Sequence, residues 1–235
     1  MHSLEDLRRM VLQVKERELR KCLESFIENP RLSVAPSAEP KISLEESPAA
    51  PRKHHMYRGG LVHHTIAVTM TAIRIAEILK RVYELELDVD LVIAASILHD
   101  LYKYYQYEYS ELDGCYKPRV DWYFSHDYAI VAEASKRGCP EKLLRVLSEV
   151  HGTVPISTVE GLVVHLADSV DAKIGEYLQS RVLSVLKELE AEYGCKHTRL
   201  FQELVSRFGL GALADMAFKG ALKEVARSVC MELKG

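Results

Sequence analysis

The segment from Ile93 to Lys103, IAASILHDLYK, constrains the fold of this chain more than any other. Its first residues are apolar on every side, which predicts a helix buried at the centre of the molecule. The segment then runs into His99 and Asp100. A buried carboxylate costs several kcal/mol unless it is paired or binds a metal. Because adjacent helical residues point about 100° apart, both side chains can reach one metal only where ligands from other helices converge.

Most of the remaining chain has helical periodicity, so the predicted fold class is all-α, a helical bundle with N- and C-terminal helical additions. Asp88 and a capping box of Ser157 and Glu160 are predicted to begin two of the helices. The expected helices cover residues 4–28, 61–82, 88–105, 126–137, Pro140 to near His151, about 158 to Tyr193 with a possible break near Gly175, and one or two helices within 198–232.

The predicted organisation has four parts. They are an N-terminal helix (1–29), a Pro/Ser-rich linker or surface strap (30–53), the main helical domain (54–193) and C-terminal helices packed on it (194–235). The terminal helices either cover the domain or form a homodimer. The aromatic segment 107–124 is expected to be a loop that could include a short hairpin. It serves as a lid over bound bases or, the favoured alternative, as a packed loop or dimer contact.

Composition excludes several classes of protein. The 235 residues include 31 Lys plus Arg and 34 Asp plus Glu, a net charge of −3, which argues against a protein that binds nucleic acid by bulk electrostatics. The apolar runs are too short to span a membrane, and the N-terminus lacks the apolar core of a signal peptide. Five scattered cysteines without a CxxC motif predict neither disulfides nor a thiolate zinc site. We therefore expect a cytoplasmic protein in a reducing compartment, without a membrane partner.

Two further residues are natural partners for the His-Asp pair. His64 and Asp168 each lie within a predicted amphipathic helix. A mixed set of imidazole and carboxylate ligands suits Mn, Fe, Ni, Zn or Co rather than Ca. The residues alone therefore predict a divalent transition-metal site. Asp171 either supports a ligand or forms a salt bridge, and His165 is expected to pack rather than to bind metal.

Three stretches of sequence resemble a known family. They are HHMYRGGLVHHT at 54–65, ILHDLYK at 97–103 and EVHGTVPISTVEGLVVHLADSVDAKI at 149–174. Their order, His64, then His99-Asp100, then Asp168, is similar to that of the HD superfamily of metal-dependent phosphohydrolases. The local sequences most resemble the branch that contains HD-domain 3′-to-5′ exoribonucleases. The resemblance covers about half of the chain.

This resemblance implies roles for single residues. His64, His99, Asp100 and Asp168 would hold one ion, while His126 and His151 would hold a second, with Asp100 between them. Lys103 would act with Asp100 in catalysis and contact the substrate phosphate, and Arg58 and His55 are further candidates for substrate contacts. A water activated by one or two such ions would attack the phosphoester of a nucleotide or nucleic-acid end.

The chain also departs from the family. Tyr102 replaces the usual Gly and would place a bulky ring beside the metal helix. The exoribonucleases carry an oligonucleotide-binding barrel where this chain has a helix and the Pro-rich segment, which disfavours RNA degradation. The alternative function is a non-catalytic HD-fold protein that binds a nucleotide or nucleic acid, or that serves in assembly, with a structural metal or none.

Overall fold

The computed structural model describes residues 2–35 and 39–234, and it is mostly helical as predicted. Within these residues one 3₁₀ helix (Leu101–Gln106) follows α4, and one antiparallel hairpin pairs β1 (Tyr107–Ser110) with β2 (Cys115–Pro118). The α-helices are α1 (Leu4–Val11), α2 (Arg17–Glu28), α3 (Gly60–Val82), α4 (Val89–Leu98), α5 (His126–Lys136), α6 (Glu141–Glu149), α7 (Val159–Tyr193), α8 (His197–Phe208), α9 (Leu210–Phe218) and α10 (Leu222–Glu232).

Helix α4 lies at the centre of the bundle. Every residue from Leu91 to Leu98 is buried, and the helix packs against α2, α3, α6 and α7. The Asp88 carboxylate accepts the Leu91 N–H at 3.1 Å and caps the helix, as predicted. The surrounding helices therefore deliver their side chains to the end of α4.

The predicted helix over 88–105 ends earlier than expected. Helix α4 stops at Leu98, and Asp100 has φ −109° and ψ 2°, between the α-helix and the 3₁₀ helix that follows. The chain therefore leaves the α-helix at the His99-Asp100 pair. The Tyr102 ring packs on Phe26, and its hydroxyl donates a hydrogen bond to Arg31 O at 3.3 Å.

The single helix predicted over 4–28 is in fact two helices. The backbone N–H groups of Lys15 and Glu16 both donate to Asp90 Oδ2, at 2.7 Å and 2.6 Å. A carboxylate from α4 thus satisfies donors at the start of α2, and the chain turns there instead of continuing as α1. The residue responsible for this break, Asp90, lies on a helix far away in sequence.

The Pro/Ser-rich segment lies on the bundle where it is described; Pro36 of the predicted strap falls outside the described residues. Leu32 N donates to Tyr105 Oη at 2.9 Å, and Ser33 N donates to Glu133 Oε2 at 2.7 Å. Glu133 is fully buried on α5 and also pairs with Arg137. These contacts fasten the segment to the 3₁₀ helix and to α5.

Helix α7 begins and runs differently from the prediction. Thr158, not Ser157, caps it by accepting the Gly161 N–H at 2.9 Å, while Ser157 donates to Glu149 at 2.6 Å. The helix continues through Gly175 without a break. Its first half packs in the core with α3–α6, and its second half packs with α8–α10 in a separate core. The C-terminal region forms three helices rather than one or two, separated at Gly209 and Gly220.

The prediction that no disulfide forms was wrong. Cys22 of α2 is bonded to Cys139, just after α5, with 5.5 Å between their Cα atoms. Cys195 is bonded to Cys230 of α10, with 5.9 Å between their Cα atoms. The partners are 117 and 35 residues apart in sequence, and only the folded chain brings them together.

The aromatic segment contains the hairpin that the sequence allowed. Tyr107 and Tyr116 are buried, and the Tyr107 hydroxyl donates to Ala49 O at 3.3 Å. Trp122 stacks near Tyr105 at 5.3 Å between ring centroids, whereas Tyr123 is exposed. Most of these rings therefore pack against the protein. No helix of the described residues is long and apolar enough to cross a membrane.

Candidate metal centre

Three helices bring four predicted ligands to one point. His64 lies in the second turn of α3, His99 and Asp100 follow α4, and Asp168 lies on α7. His64 Nε2 is 3.2 Å from Asp100 Oδ2 and 3.1 Å from Asp168 Oδ1, and His99 Nε2 is 3.5 Å from Asp100 Oδ2. One ligand atom from each of the four lies within 4.8 Å of the others, so they could hold one metal ion.

A second group shares Asp100 with the first. His126 is the first residue of α5, and His151 follows the end of α6. His126 Nε2 lies 3.2 Å from Asp100 Oδ1, and His151 Nε2 lies 3.5 Å from the same oxygen. Asp100 therefore presents Oδ2 to the first pair of histidines and Oδ1 to the second pair.

The two rings of the first pair are held so that Nε2 faces the centre. His64 Nδ1 lies 2.6 Å from Asp171 Oδ2, and His99 Nδ1 lies 2.7 Å from Ser96 O. Both partners are acceptors, so Nδ1 carries a ring proton and Nε2 is the nitrogen that could face an ion. The sequence left open whether Asp171 supports a ligand or forms a salt bridge. In the structure it orients His64, a proposed ligand.

Unpaired polar atoms fit a cation here. Across residues 2–35 and 39–234, six buried side-chain atoms have no hydrogen-bond partner. One is Ser96 Oγ, and the other five belong to the centre. These five are His64 Nε2, His99 Nε2, Asp100 Oδ1, Asp100 Oδ2 and His126 Nε2, and of these Asp100 Oδ2 also forms an ion pair with Lys103. Buried polar groups are normally hydrogen-bonded. Their convergence indicates a cation-binding site made of imidazole nitrogens and carboxylate oxygens.

The charges at the centre allow a cation to take the place of a proton. Burial disfavours the charged form of His64, but the neighbouring carboxylates of Asp100, Asp168 and Asp171 outweigh it and raise the pKa to about 10. Burial opposes ionisation of Asp100, but Lys103 and the histidines hold its pKa well below the usual range. On the open edge of the centre, burial lowers the pKa of His151 to about 4, so that ring stays neutral and able to bind metal near pH 7.

The three predicted substrate contacts lie in different places. Lys103 Nζ is 2.5 Å from Asp100 Oδ2, and although burial lowers its pKa, Asp100 and its neighbours raise it further, so it stays charged. His55 is buried behind His64, not at an opening, and its Nε2 is 3.7 Å from Asp171 Oδ2. Arg58 pairs with Glu46 at the surface, 2.8 Å away. Of the three, the structure brings only Lys103 to the centre, and substrate contacts by His55 and Arg58 stay predictions.

His54 and His55 form a further potential ligand group with His64. Their own Nδ1 atoms lie 3.1 Å apart and hydrogen-bond to each other, and both His64 nitrogens face carboxylates. Burial lowers the pKa of His54 and of His55 to about 3, so both rings are neutral. We interpret this pair as packing behind His64.

Two further residues lie near the centre: Gln106, which gave no functional signal in the sequence, and His165, which was expected to pack. Gln106, at the end of the 3₁₀ helix, places its amide nitrogen 3.3 Å from His126 Nδ1. His165 places Nδ1 2.7 Å from Val150 O, beside His151, so it supports the turn rather than the ions. The role of Gln106 depends on a tertiary contact that no spacing encodes.

Comparisons with known proteins agree with this geometry. The HD domain family matches residues 61–173. The dihydroneopterin 2′,3′-cyclic phosphate phosphodiesterase of Methanocaldococcus jannaschii is 37% identical over 177 residues, which cover 74% of this chain and 70% of that protein. No solved structure matches the chain significantly. The relative is not an exoribonuclease, which corrects the branch expected from the sequence. The chain therefore belongs to the HD-domain family and is a metal-dependent phosphohydrolase.

Proposed function

We propose that this protein is a phosphodiesterase that opens a cyclic phosphate on a small nucleotide-like molecule, and that its centre holds two divalent ions. The observation that carries the proposal is the position of Asp100, whose two oxygens face different pairs of histidines. The name of the relative, a 2′,3′-cyclic phosphate phosphodiesterase, supports the choice of a cyclic diester.

The proposed ligands divide between two positions. His64, His99 and Asp168 with Asp100 Oδ2 would hold one ion, and His126 and His151 with Asp100 Oδ1 would hold the other. Divalent ions at such a site neutralise charge on phosphoryl oxygens and lower the pKa of a bound water. Mn, Fe, Ni, Co and Zn all suit this set of donors.

The protein's own residues would prepare the reaction. Asp171 and Ser96 O fix the rings of the first histidine pair, so these rings need no reorganisation when substrate arrives. Lys103 brings a buried positive charge to Asp100 and would hold a phosphoryl oxygen of the diester. Hydrolysis adds water across one P–O bond: the water oxygen bonds to phosphorus, and the released ester oxygen takes a proton.

The surroundings favour a small substrate over a long polyanion. The chain has a net charge of −3, which gives little bulk attraction for nucleic acid. The His64 and Asp100 side chains are fully buried, while His126, His151 and Asp168 remain 17–20% exposed. Substrate would therefore approach from the side of His126 and His151.

The test compares diesters with monoesters. Protein loaded with Mn²⁺ is assayed on dihydroneopterin 2′,3′-cyclic phosphate, on 2′,3′-cyclic AMP and on the matching 2′- and 3′-monophosphates. We expect hydrolysis of cyclic diesters to monoesters, and its loss in Asp100→Asn with bound metal measured in parallel. Faster hydrolysis of the monophosphates would make the enzyme a phosphomonoesterase. Bound ions without hydrolysis of any ester would favour the non-catalytic alternative.

A further inference from the structure

We propose that Gln106 is a positioning residue that selects the ring tautomer of His126, and that it makes the second metal position weaker than the first. The inference rests on the proposed function and concerns the regulation of that site. It comes from a contact of Gln106 that has no counterpart around His64 or His99.

The orientation of the Gln106 amide is set by a backbone carbonyl. Its Nε2 lies 3.3 Å from Phe124 O and 3.3 Å from His126 Nδ1. A carbonyl oxygen can only accept hydrogen bonds, so the amide group facing Phe124 O is the NH₂ and not the oxygen. Phe124 O also accepts from the Trp122 indole, which fixes that carbonyl in place.

This orientation determines which nitrogen of His126 carries the proton. The amide N–H can donate to Nδ1 only if Nδ1 has a free lone pair, so the proton of the neutral ring lies on Nε2. Nε2 is the atom that faces Asp100 Oδ1, at 3.2 Å. A protonated Nε2 cannot bind a metal.

The first histidine pair has the opposite arrangement. His64 Nδ1 faces the Asp171 carboxylate, and His99 Nδ1 faces the Ser96 carbonyl. Both acceptors hold a proton on Nδ1, so the neutral ring presents the lone pair of Nε2 to an ion. The three rings thus face a carboxylate, a carbonyl and an amide donor, and only the last opposes metal binding.

Binding at the second position therefore requires Gln106 to change. If the amide rotates, its oxygen can accept the Nδ1 proton of His126, but that oxygen then faces Phe124 O, another acceptor. The loss of one hydrogen bond and the repulsion between two oxygens reduce affinity for the second ion. The first position is free of this penalty.

Two substitutions at Gln106 test the proposal. Gln106→Glu supplies a carboxylate acceptor, as Asp171 does for His64, and Gln106→Met removes the polar group at similar size. Mn²⁺ bound per chain is measured by equilibrium dialysis over a range of free Mn²⁺. Nitrogen NMR of the metal-free proteins reports which nitrogen of His126 is protonated, and circular dichroism confirms the fold.

We expect two binding steps in the wild type, with His126 protonated on Nε2 in the metal-free protein. Gln106→Glu should move the proton to Nδ1 and tighten the second step about tenfold, with a smaller change in the first step. Gln106→Met should leave the tautomer unbiased and tighten the second step less than Gln106→Glu.

Equal tightening of both steps by Gln106→Glu would indicate a simple charge effect and overturn the inference. A wild-type His126 already protonated on Nδ1 would overturn it too, and both results would leave the proposed function intact. Both proposals would be overturned if the wild type bound no ion and showed no Mn²⁺-dependent hydrolysis.

Discussion

The metal centre has a buried side and an open side, built from the same residue types in different surroundings. On the buried side, the His64 and His99 side chains are 0% exposed and each Nδ1 is held by an acceptor. On the open side, His126 and His151 are 20% and 17% exposed, and Gln106 faces His126 with a donor. One side is therefore prearranged for the proposed first ion, while the other is the exposed side from which we propose that substrate approaches.

The largest expected effect comes from removing a ligand on the buried side. His99→Ala should abolish binding of the first ion and lower kcat at least about a thousandfold, because charge stabilisation by such an ion is worth several kcal/mol. Elemental analysis and kcat on a cyclic phosphate are the measurements. The matched variant His126→Ala should keep one ion per chain. The contrast between the two sides would be lost if the ion that remains in each variant bound with the same affinity.

The next prediction concerns pH and the metal-free protein. Burial lowers the pKa of His54 and His55 to about 3 and that of His151 to about 4. The unfolded chain binds these protons near pH 6.5 and the folded chain does not, so stability is present above pH 6.5 and is lost as pH falls toward 4. His64, whose pKa in the folded chain is raised to about 10, opposes this trend slightly, because the unfolded chain releases that proton above pH 6.5 while the folded chain keeps it.

Urea unfolding in the presence of a chelator, at pH 7 and pH 4.5, measures this effect. We expect a loss of several kcal/mol, since each of the three rings differs from the unfolded chain by about two pKa units over this range and one unit is worth about 1.4 kcal/mol. His151→Gln should flatten the dependence in part, because it removes the open-side histidine and leaves His54 and His55. Stability that does not change between the two pH values would show that these rings titrate alike in both states.

A smaller effect is expected from the residue that orients His64. Asp171→Asn keeps the size of the side chain but weakens the acceptor at His64 Nδ1. Loss of such a supporting carboxylate lowers metal affinity about 10- to 100-fold. Mn²⁺ titration should show weakening of the tight step, and the looser step should change little. Weakening confined to the looser step would mean that the assignment of the two sides is reversed.

The smallest effect is expected behind the buried side, where Gly175 contacts His55. A Cβ at this position would lie 2.5 Å from His55 Cε1. Gly175→Ala should therefore lower the free energy of unfolding by about 1–2 kcal/mol through overpacking. Gly211→Ala is the control, because a Cβ there meets no described atom within 4 Å. Thermal or urea unfolding of both variants checks the prediction, and equal stability would show that the His55 ring can move freely.

The order of the candidate metal ligands could be read from the sequence because histidine and aspartate are residue types that a protein core rarely contains without partners. A His-Asp pair after a buried helix requires partners, and His64 and Asp168 lie on helices that contact it. The existence of the helices followed from the periodicity of apolar residues, but the positions of several helix ends did not. Asp90 ended the first predicted helix early, and Asp100 interrupted the one that carries it.

Contacts between distant segments were beyond the sequence. The pairs Cys22–Cys139 and Cys195–Cys230 could not be inferred from spacing, and Arg58 and His55 could not be placed by their neighbours in the chain. Gln106 carried no signal, because an amide beside a tyrosine is ordinary in any sequence. Its importance follows from the two atoms that its Nε2 contacts.

The sequence by itself determined that this chain is helical, that a buried helix ends in a His-Asp pair suited to binding metal, and that the other candidate ligands follow in family order. These properties depend on local periodicity and on the free energy of burying charge, which residue types alone convey. Only the tertiary structure decided which ring nitrogen each neighbour orients and how deeply each side of the centre is buried. Those properties depend on distances between atoms from different helices, set by packing around α4 and α7.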